Sequence, residues 1–195
     1  GTEDVDCTYE YFTELHVQGS LYDVSHNLNV GDLDGDGWLD LALTLDSGKI
    51  ALLRNSGERS PAAPTFPTLA HFEFDEFGEA ALGGLAVVDW NGDGRDDLLV
   101  PTATGSIASL ASDSDRGELS LALHQEGDPL MSPAQRIHVV DMDGDGLPNA
   151  VVTSSFGVSV WEGPDSEGRL GAGEYTTEIP GLGARRTSVG DLDGD

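Results

Sequence analysis

The sequence is poor in cysteine and in basic residues, and both shortages exclude classes of protein. Cys7 is the only cysteine among 195 residues, so no disulfide can form within the chain. Nine lysines and arginines stand against 36 aspartates and glutamates, which gives a formal net charge of -27. Binding to phosphate backbones requires a basic surface, and an anionic membrane surface would repel such a chain. We therefore expect neither nucleic acid nor anionic lipid as a partner.

Long apolar runs and enzyme motifs are also missing. No apolar stretch approaches the roughly 20 residues that span a bilayer, so we expect no membrane insertion. No segment carries the apolar stripe of a long amphipathic helix. The sequence contains no Gly-x-Ser-x-Gly, no His-Glu-x-x-His and no phosphate-binding loop. We therefore predict no catalytic residues.

The sequence is rich in one feature, an acidic loop with two glycines. We define loops 1, 2 and 3 as residues 32–40, 89–97 and 141–149, and a fourth copy begins at Asp191 and is unfinished at Asp195. Each complete loop has glycine at positions 4 and 6 and an oxygen-bearing side chain at positions 1, 3, 5 and 9. These oxygen-bearing residues are Asp32, Asp34, Asp36 and Asp40, then Asp89, Asn91, Asp93 and Asp97, then Asp141, Asp143, Asp145 and Asn149.

This pattern predicts calcium. Ca²⁺ takes about six to eight oxygen ligands, and side chains at alternating positions of a loop can converge on one point. We therefore predict about three Ca²⁺ sites, with loop 1 the tightest because it alone has four carboxylates. An EF-hand would need glutamate at its twelfth position, where this chain has Leu43, Val100 and Val152. Metal-free Asp-Gly turns are the alternative, but three complete copies favour metal.

The loops recur at a spacing typical of repeat proteins. Their first aspartates lie at 32, 89, 141 and 191, that is 57, 52 and 50 residues apart. A short apolar stretch enters each loop, and two more follow it. A fourth stretch is expected at residues 71–74, 119–124 and 175–179. We predict an all-β fold in which each unit is a propeller blade of four antiparallel strands, with blades from near 28, 85 and 137 and a truncated repeat from 187.

About three complete blades do not make a ring, because propellers typically close with about four to eight. Residues 1–27 are expected to add outer strands to a preceding or closing blade, while residues 28–195 form the repeat region. Open sheet edges invite association. We therefore expect a fragment of a larger propeller, or a chain that closes with another chain.

The segment 87–100, Val-Val-Asp-Trp-Asn-Gly-Asp-Gly-Arg-Asp-Asp-Leu-Leu-Val, resembles the FG-GAP and VCBS-type repeats of calcium-binding β-propellers. Such repeats form the heads of integrin α subunits and occur in many secreted bacterial proteins. The full Phe-Gly…Gly-Ala-Pro phrase is absent, so the chain is closer to the VCBS type. The resemblance implies a metal in the hairpin between two strands, with the position-7 carbonyl as a further ligand. Those carbonyls belong to Trp38, Arg95 and Leu147.

The resemblance also implies a function. We expect a secreted or cell-surface module in which calcium is structural and which acts in adhesion, by binding a protein or glycan ligand. Two alternatives stay open. The propeller could be part of a secreted hydrolase or polysaccharide lyase, or a structural subunit of an extracellular assembly whose neighbouring blades or subunits close the ring.

Overall fold

The computed structural model describes residues 25–45, 49–57, 68–72, 84–102, 107–112, 119–126, 134–154, 157–165, 170, 173–178 and 190. The expected outer strands within residues 1–24 and the fourth loop copy, residues 191–195, lie outside this part. Every regular element within it is a β-strand, so it contains no helix of the length and apolar character needed to cross a membrane. The predicted all-β fold is confirmed for the part of the chain that is described.

In the described residues, twelve strands form three four-stranded antiparallel sheets. Blade 1 consists of β1 (Ser25–Gly31), β2 (Asp40–Leu45), β3 (Ile50–Arg54) and β4 (Thr68–Phe72). Blade 2 consists of β5 (Ala86–Val88), β6 (Asp97–Pro101), β7 (Ile107–Ser112) and β8 (Leu121–Glu126). Blade 3 consists of β9 (Ala134–Val140), β10 (Asn149–Ser154), β11 (Gly157–Trp161) and β12 (Gly173–Glu178). Strands that follow one another pair in each sheet, as a propeller blade requires.

Each acidic loop therefore occupies the same place in its blade. Loop 1 joins β1 to β2, loop 2 joins β5 to β6, and loop 3 joins β9 to β10. The first strands of neighbouring blades contact each other, β1 with β5 and β5 with β9, and β6 also contacts β9. The Gly84 N–H, just before β5, donates to the Gln135 carbonyl in β9 at 3.1 Å. The three described blades form no closed ring, which agrees with the expected incomplete propeller.

Blade 2 is buried on both faces because it lies between its neighbours. Along β6, Leu98 and Val100 belong to the core shared with blade 1, whereas Leu99 belongs to the core shared with blade 3. The first core also holds Leu33, Ala42, Ile50, Leu52, Leu85, Ala108, Leu110 and Leu121. The second also holds Ala86, Trp90, Ile107, Ala134, Ile137, Ala150, Val152, Trp161 and Leu170. Burial on both faces explains why β6 reads as a continuous apolar run.

Blade 1 has one face that stays partly open. Leu28 and Val30 are 58% and 53% exposed. They precede Asp32 by four and two residues, as Leu85 and Val87 precede Asp89, yet Leu85 is only 3% exposed because blade 1 covers it. Leu28 and Val30 thus lie on the blade face that, in blade 2, packs against the preceding blade.

Blade 3, at the opposite end of the three blades, also exposes an apolar side chain, at position 2 of its loop. Leu33 is buried in the core with blade 2, and Trp90 is buried in the core with blade 3. Met142 holds the same position in loop 3 and is 53% exposed. Position 2 therefore packs against the following blade wherever one is described.

Candidate metal sites in three equivalent loops

The three loops share one network of hydrogen bonds from backbone N–H groups to side-chain oxygens. The position-1 carboxylate accepts a bond from the N–H at position 6 in each loop, at 2.9, 2.9 and 3.0 Å. The position-3 side chain accepts from position 5, and the position-5 carboxylate accepts from position 7. Such local bonds are typical of aspartate and asparagine in turns, and they bend the backbone around its own oxygens. The acidic residues therefore shape the loop in which they lie.

Glycine is required at positions 4 and 6 by the backbone conformation. In loop 1, Gly35 and Gly37 have φ values of 68° and 89°, and the glycines of loops 2 and 3 repeat this left-handed geometry. A residue with a Cβ atom is strained there, whereas glycine is not. The two glycines allow each loop to wrap tightly enough for its alternating side chains to face inward.

The position-9 side chain is buried and ties each loop to its sheet. In loop 1, Asp40 Oδ2 accepts from the Leu33 N–H at 3.1 Å, and Oδ1 accepts from the Asn55 N–H at 2.7 Å. In loop 2, Asp97 accepts hydrogen bonds from the equivalent donors, the Trp90 N–H and the Ser112 N–H. In loop 3, Asn149 accepts from the Met142 N–H at 2.7 Å. A carboxylate oxygen has a second lone pair, so these bonds still leave room for a cation.

Acidic oxygens converge in loops 1 and 3. One oxygen each from Asp32, Asp34 and Asp40 lies within 4.8 Å of the others, and the same holds for Asp141, Asp143 and Asp145. Within the described residues, loop 2 has no such acidic triplet, since Asn91 takes the place of an aspartate at position 3. The position-7 carbonyls of Trp38, Arg95 and Leu147 stay predicted ligands.

Loop 1 has the features expected of a cation site. Asp32 Oδ1 is buried and accepts no hydrogen bond within the part of the chain that the structure describes. A buried oxygen without a partner is costly, and a metal ion would supply one. Burial, together with the neighbouring charges of Asp34 and Asp36, raises the pKa of Asp40 to about 6. A divalent cation would favour the ionised carboxylates, and an all-oxygen donor set is the kind that calcium prefers.

Arginine side chains neutralise part of the charge in loops 1 and 2. Arg54 Nε lies 2.6 Å from Asp34 Oδ2, and Arg54 Nη2 lies 2.7 Å from Asp36 Oδ2. In loop 2, Arg95 Nη2 lies 2.7 Å from Asp93 Oδ2, and this contact lowers the pKa of Asp93. The sequence pattern did not predict the role of Arg54, because Arg54 lies at the end of β3, well outside the loop. The apolar pattern of β2 and β3 was the available signal, since pairing these strands places Arg54 opposite the end of loop 1.

Loop 1 also contacts the end of β7 and loop 2 across the boundary between blades 1 and 2. The Ser112 hydroxyl at the end of β7 donates to the Leu33 carbonyl. The Arg95 side chain lies so close to Gly35 that a Cβ added at Gly35 would be 3.0 Å from Arg95 Cγ. The loop structures are therefore parts of the blade interface as well as candidate metal sites.

A comparison with known families matches an FG-GAP-like repeat to residues 23–100. This range spans blade 1, loop 1, loop 2 and the strands β5 and most of β6 on either side of loop 2. A comparison with curated proteins found no match. The predicted VCBS-type assignment remains a prediction. The matched range and the repeated blade geometry show that the chain contains FG-GAP-type repeats.

Proposed function

We propose that the chain is a calcium-binding β-propeller module in which calcium stabilises the fold. The proposal is carried by the convergence of carboxylate oxygens from Asp32, Asp34 and Asp40, together with the buried Asp32 Oδ1, which accepts no hydrogen bond from the described residues. The equivalent hydrogen-bond networks of loops 2 and 3 extend the same reasoning to about three ions. The carboxylates and amides at positions 1, 3, 5 and 9 would hold the ion, together with the position-7 carbonyls.

Calcium would act on stability through charge. Each loop brings several carboxylates together in a chain whose net charge is already -27. A folded loop binds the ion and an unfolded one does not, so binding free energy becomes folding free energy. At calcium concentrations about 100-fold above Kd, each site would add about 2.7 kcal/mol to the free energy of unfolding.

Isothermal titration of the metal-stripped chain with calcium tests this proposal. We expect about three ions per chain and one fewer for Asp32→Asn, which removes the charge at the buried oxygen without a partner. Asp165→Asn is the matched control, because Asp165 is exposed and lies outside the loops. Absence of binding heat, or equal stoichiometry in all three proteins, would contradict the proposal.

We further propose an extracellular location and a role in adhesion through a protein or glycan ligand. Extracellular calcium is abundant enough to keep even millimolar sites occupied. Trp38 in loop 1 is exposed, and an exposed aromatic ring suits stacking on a sugar or packing against a protein. A panel of immobilised glycans, probed with and without calcium, should show binding that Trp38→Ala removes and Asp165→Asn retains. Binding that is equal in Trp38→Ala would exclude this residue as the contact.

A second candidate role, assembly with a second copy of the chain, is favoured by the open face of blade 1. Leu28 and Val30 are exposed where Leu85 and Val87 meet a preceding blade. Met142 at the other end is exposed where Leu33 and Trp90 meet a following blade. The two ends are thus complementary, which suits head-to-tail contact between copies. Sedimentation velocity in calcium and moderate salt should show association that grows with concentration and is lost in Val30→Lys. A monomer at every concentration would contradict this role.

A further inference from the structure

The guanidinium of Arg54 bridges two of the predicted calcium ligands of loop 1. It lies 2.6 Å from Asp34 Oδ2 through Nε and 2.7 Å from Asp36 Oδ2 through Nη2. Asp34 is buried, and only 17% of the Arg54 side chain is exposed. Charge-assisted contacts of this kind are stronger than neutral hydrogen bonds, and low solvent exposure reduces their screening. Loop 1 therefore holds a positive charge where a metal ion would also be attracted.

Strand register shows that this arrangement is specific to loop 1. Leu41 pairs with Leu53, so Arg54 lies opposite position 9 of its loop. Leu98 pairs with Leu110, which places Ala111 opposite position 9 of loop 2. Ala150 pairs with Trp161, which places Glu162 opposite position 9 of loop 3. The equivalent positions thus carry a cation in blade 1, a neutral residue in blade 2 and an anion in blade 3.

We propose that Arg54 is an internal cation of loop 1, which keeps the metal-free loop folded and competes with calcium for Asp34 and Asp36. The inference rests on the proposed calcium sites. A calcium ion that binds both carboxylates repels the guanidinium, so part of the binding free energy is spent on weakening or breaking two ion pairs. Loop 1 then binds calcium more weakly than its four carboxylates alone predict, and it depends less on calcium for its shape.

Loop 3 provides the contrast within the same chain. Its three converging aspartates have no cation opposite position 9, and Glu162 adds negative charge at that point. All residues from Asp141 to Leu147 are exposed. Loop 3 is therefore the loop whose folded shape should depend most on calcium, and loop 1 the one that should keep its shape longest during chelation.

Terbium luminescence can report on loop 1, because Trp38 lies within this loop and can sensitise a bound Tb³⁺ ion. Trp90 lies in loop 2 and contributes its own emission, so the loop 1 signal is the part of the emission that depends on Trp38. Trp38→Leu identifies that signal, and leucine is the natural residue at this position of loop 3. Competition with calcium then gives the calcium affinity of loop 1. Arg54→Ala is the test variant, since alanine is the natural residue at the equivalent position of blade 2. Lys49→Ala is the charge-matched control, because Lys49 lies at the opposite end of the same blade.

We expect Arg54→Ala to raise the calcium affinity of loop 1 roughly tenfold, a change of about 1.4 kcal/mol, and to lower the melting temperature in chelator. Lys49→Ala should change neither by a comparable amount. An affinity in Arg54→Ala that is unchanged or lower would overturn the competition. An unchanged metal-free melting temperature would overturn the role of Arg54 in holding the loop.

The reciprocal variant tests the inference without removing a native contact. Ala111→Arg places a cation opposite position 9 of loop 2 and should weaken calcium binding there severalfold, while loop 1 is unaffected. Unweakened loop 2 binding would count against the proposal. If neither Tb³⁺ nor calcium binds the wild-type chain, the proposed calcium function itself fails. If the ions bind but neither arginine variant shifts their affinity, only the role of Arg54 fails.

Discussion

Asp96 and Asp32 exchange two hydrogen bonds across the boundary between blades 1 and 2. The Asp32 backbone N–H donates to Asp96 Oδ2 at 2.8 Å, and the Asp96 backbone N–H donates to the Asp32 carbonyl at 3.0 Å. Asp96 is position 8 of loop 2, and Asp32 is position 1 of loop 1. Pro148 occupies position 8 of loop 3 and has no N–H to donate. The two reciprocal hydrogen bonds therefore form at the boundary between blades 1 and 2, and Pro148 cannot make the equivalent backbone bond at the boundary between blades 2 and 3.

Asp96→Ala should destabilise the protein by about 1–2 kcal/mol, because the Asp32 N–H would lose its acceptor in a half-buried place. Urea unfolding in calcium measures the change. Asp165→Ala is the control for loss of an exposed acidic charge. Equal stability of Asp96→Ala and the wild type would show that water replaces the carboxylate without cost.

Gly31→Ala should destabilise the boundary between the blades for a steric reason. A Cβ at Gly31 would overlap the Val87 side chain and lie 2.6 Å from Asp96 Oδ2. Overpacking of this kind costs typically about 1–3 kcal/mol. Gly190→Ala is the matched control, since Gly190 precedes the fourth loop copy as Gly31 precedes loop 1, and a Cβ there meets nothing within 4 Å. Thermal unfolding of both variants measures the difference, and equal melting temperatures would refute the steric argument.

Removal of calcium should lower the melting temperature by far more than a change of ionic strength does. Carboxylates that repel one another in the metal-free loops lose the cation that offsets this repulsion. Circular dichroism melts in excess chelator and in sodium chloride of matched ionic strength separate the two effects. An identical melt in chelator and in calcium would contradict a structural role of the metal.

The stability of the metal-free protein should fall as the pH rises from about 4 to about 6. Asp40 has a folded-state pKa of about 6, above its usual 3.8, so the folded state binds the extra proton within this window. The stabilisation is complete below the unfolded pKa and is lost as the pH passes the folded pKa. The difference between the two values corresponds to roughly 3 kcal/mol at most.

Urea unfolding in chelator at several pH values measures this dependence. The slope should be smaller in Asp40→Asn, which does not titrate, and it should reverse when calcium is present, because the metal favours the ionised carboxylate. A metal-free stability that increases between pH 4 and pH 6 would contradict the assignment to Asp40.

The sequence predicted the inner strands of each blade better than the outer ones. Strands β1, β2 and β3 carry strong apolar patterns and border loop 1, whose glycines and aspartates mark the hairpin. The fourth strands were predicted at residues 71–74, 119–124 and 175–179, whereas they lie at 68–72, 121–126 and 173–178. A fourth strand borders no loop of glycine and aspartate that would mark its ends, so its bounds follow from register with the third strand. That register is not encoded in a local pattern.

The acidic loops could be derived from the sequence because their geometry is local. Asp32 bonds to an N–H five residues away, and the left-handed glycines lie between these residues. Only the tertiary structure decided what surrounds the loops. Strand pairing brings Arg54 onto Asp34 across 20 residues, and blade packing brings Asp96 to Asp32 across 64. The position-2 side chain is buried in loop 1, as Leu33, but exposed in loop 3, as Met142. Its burial depends on the neighbouring blade, which no pattern within one repeat can specify.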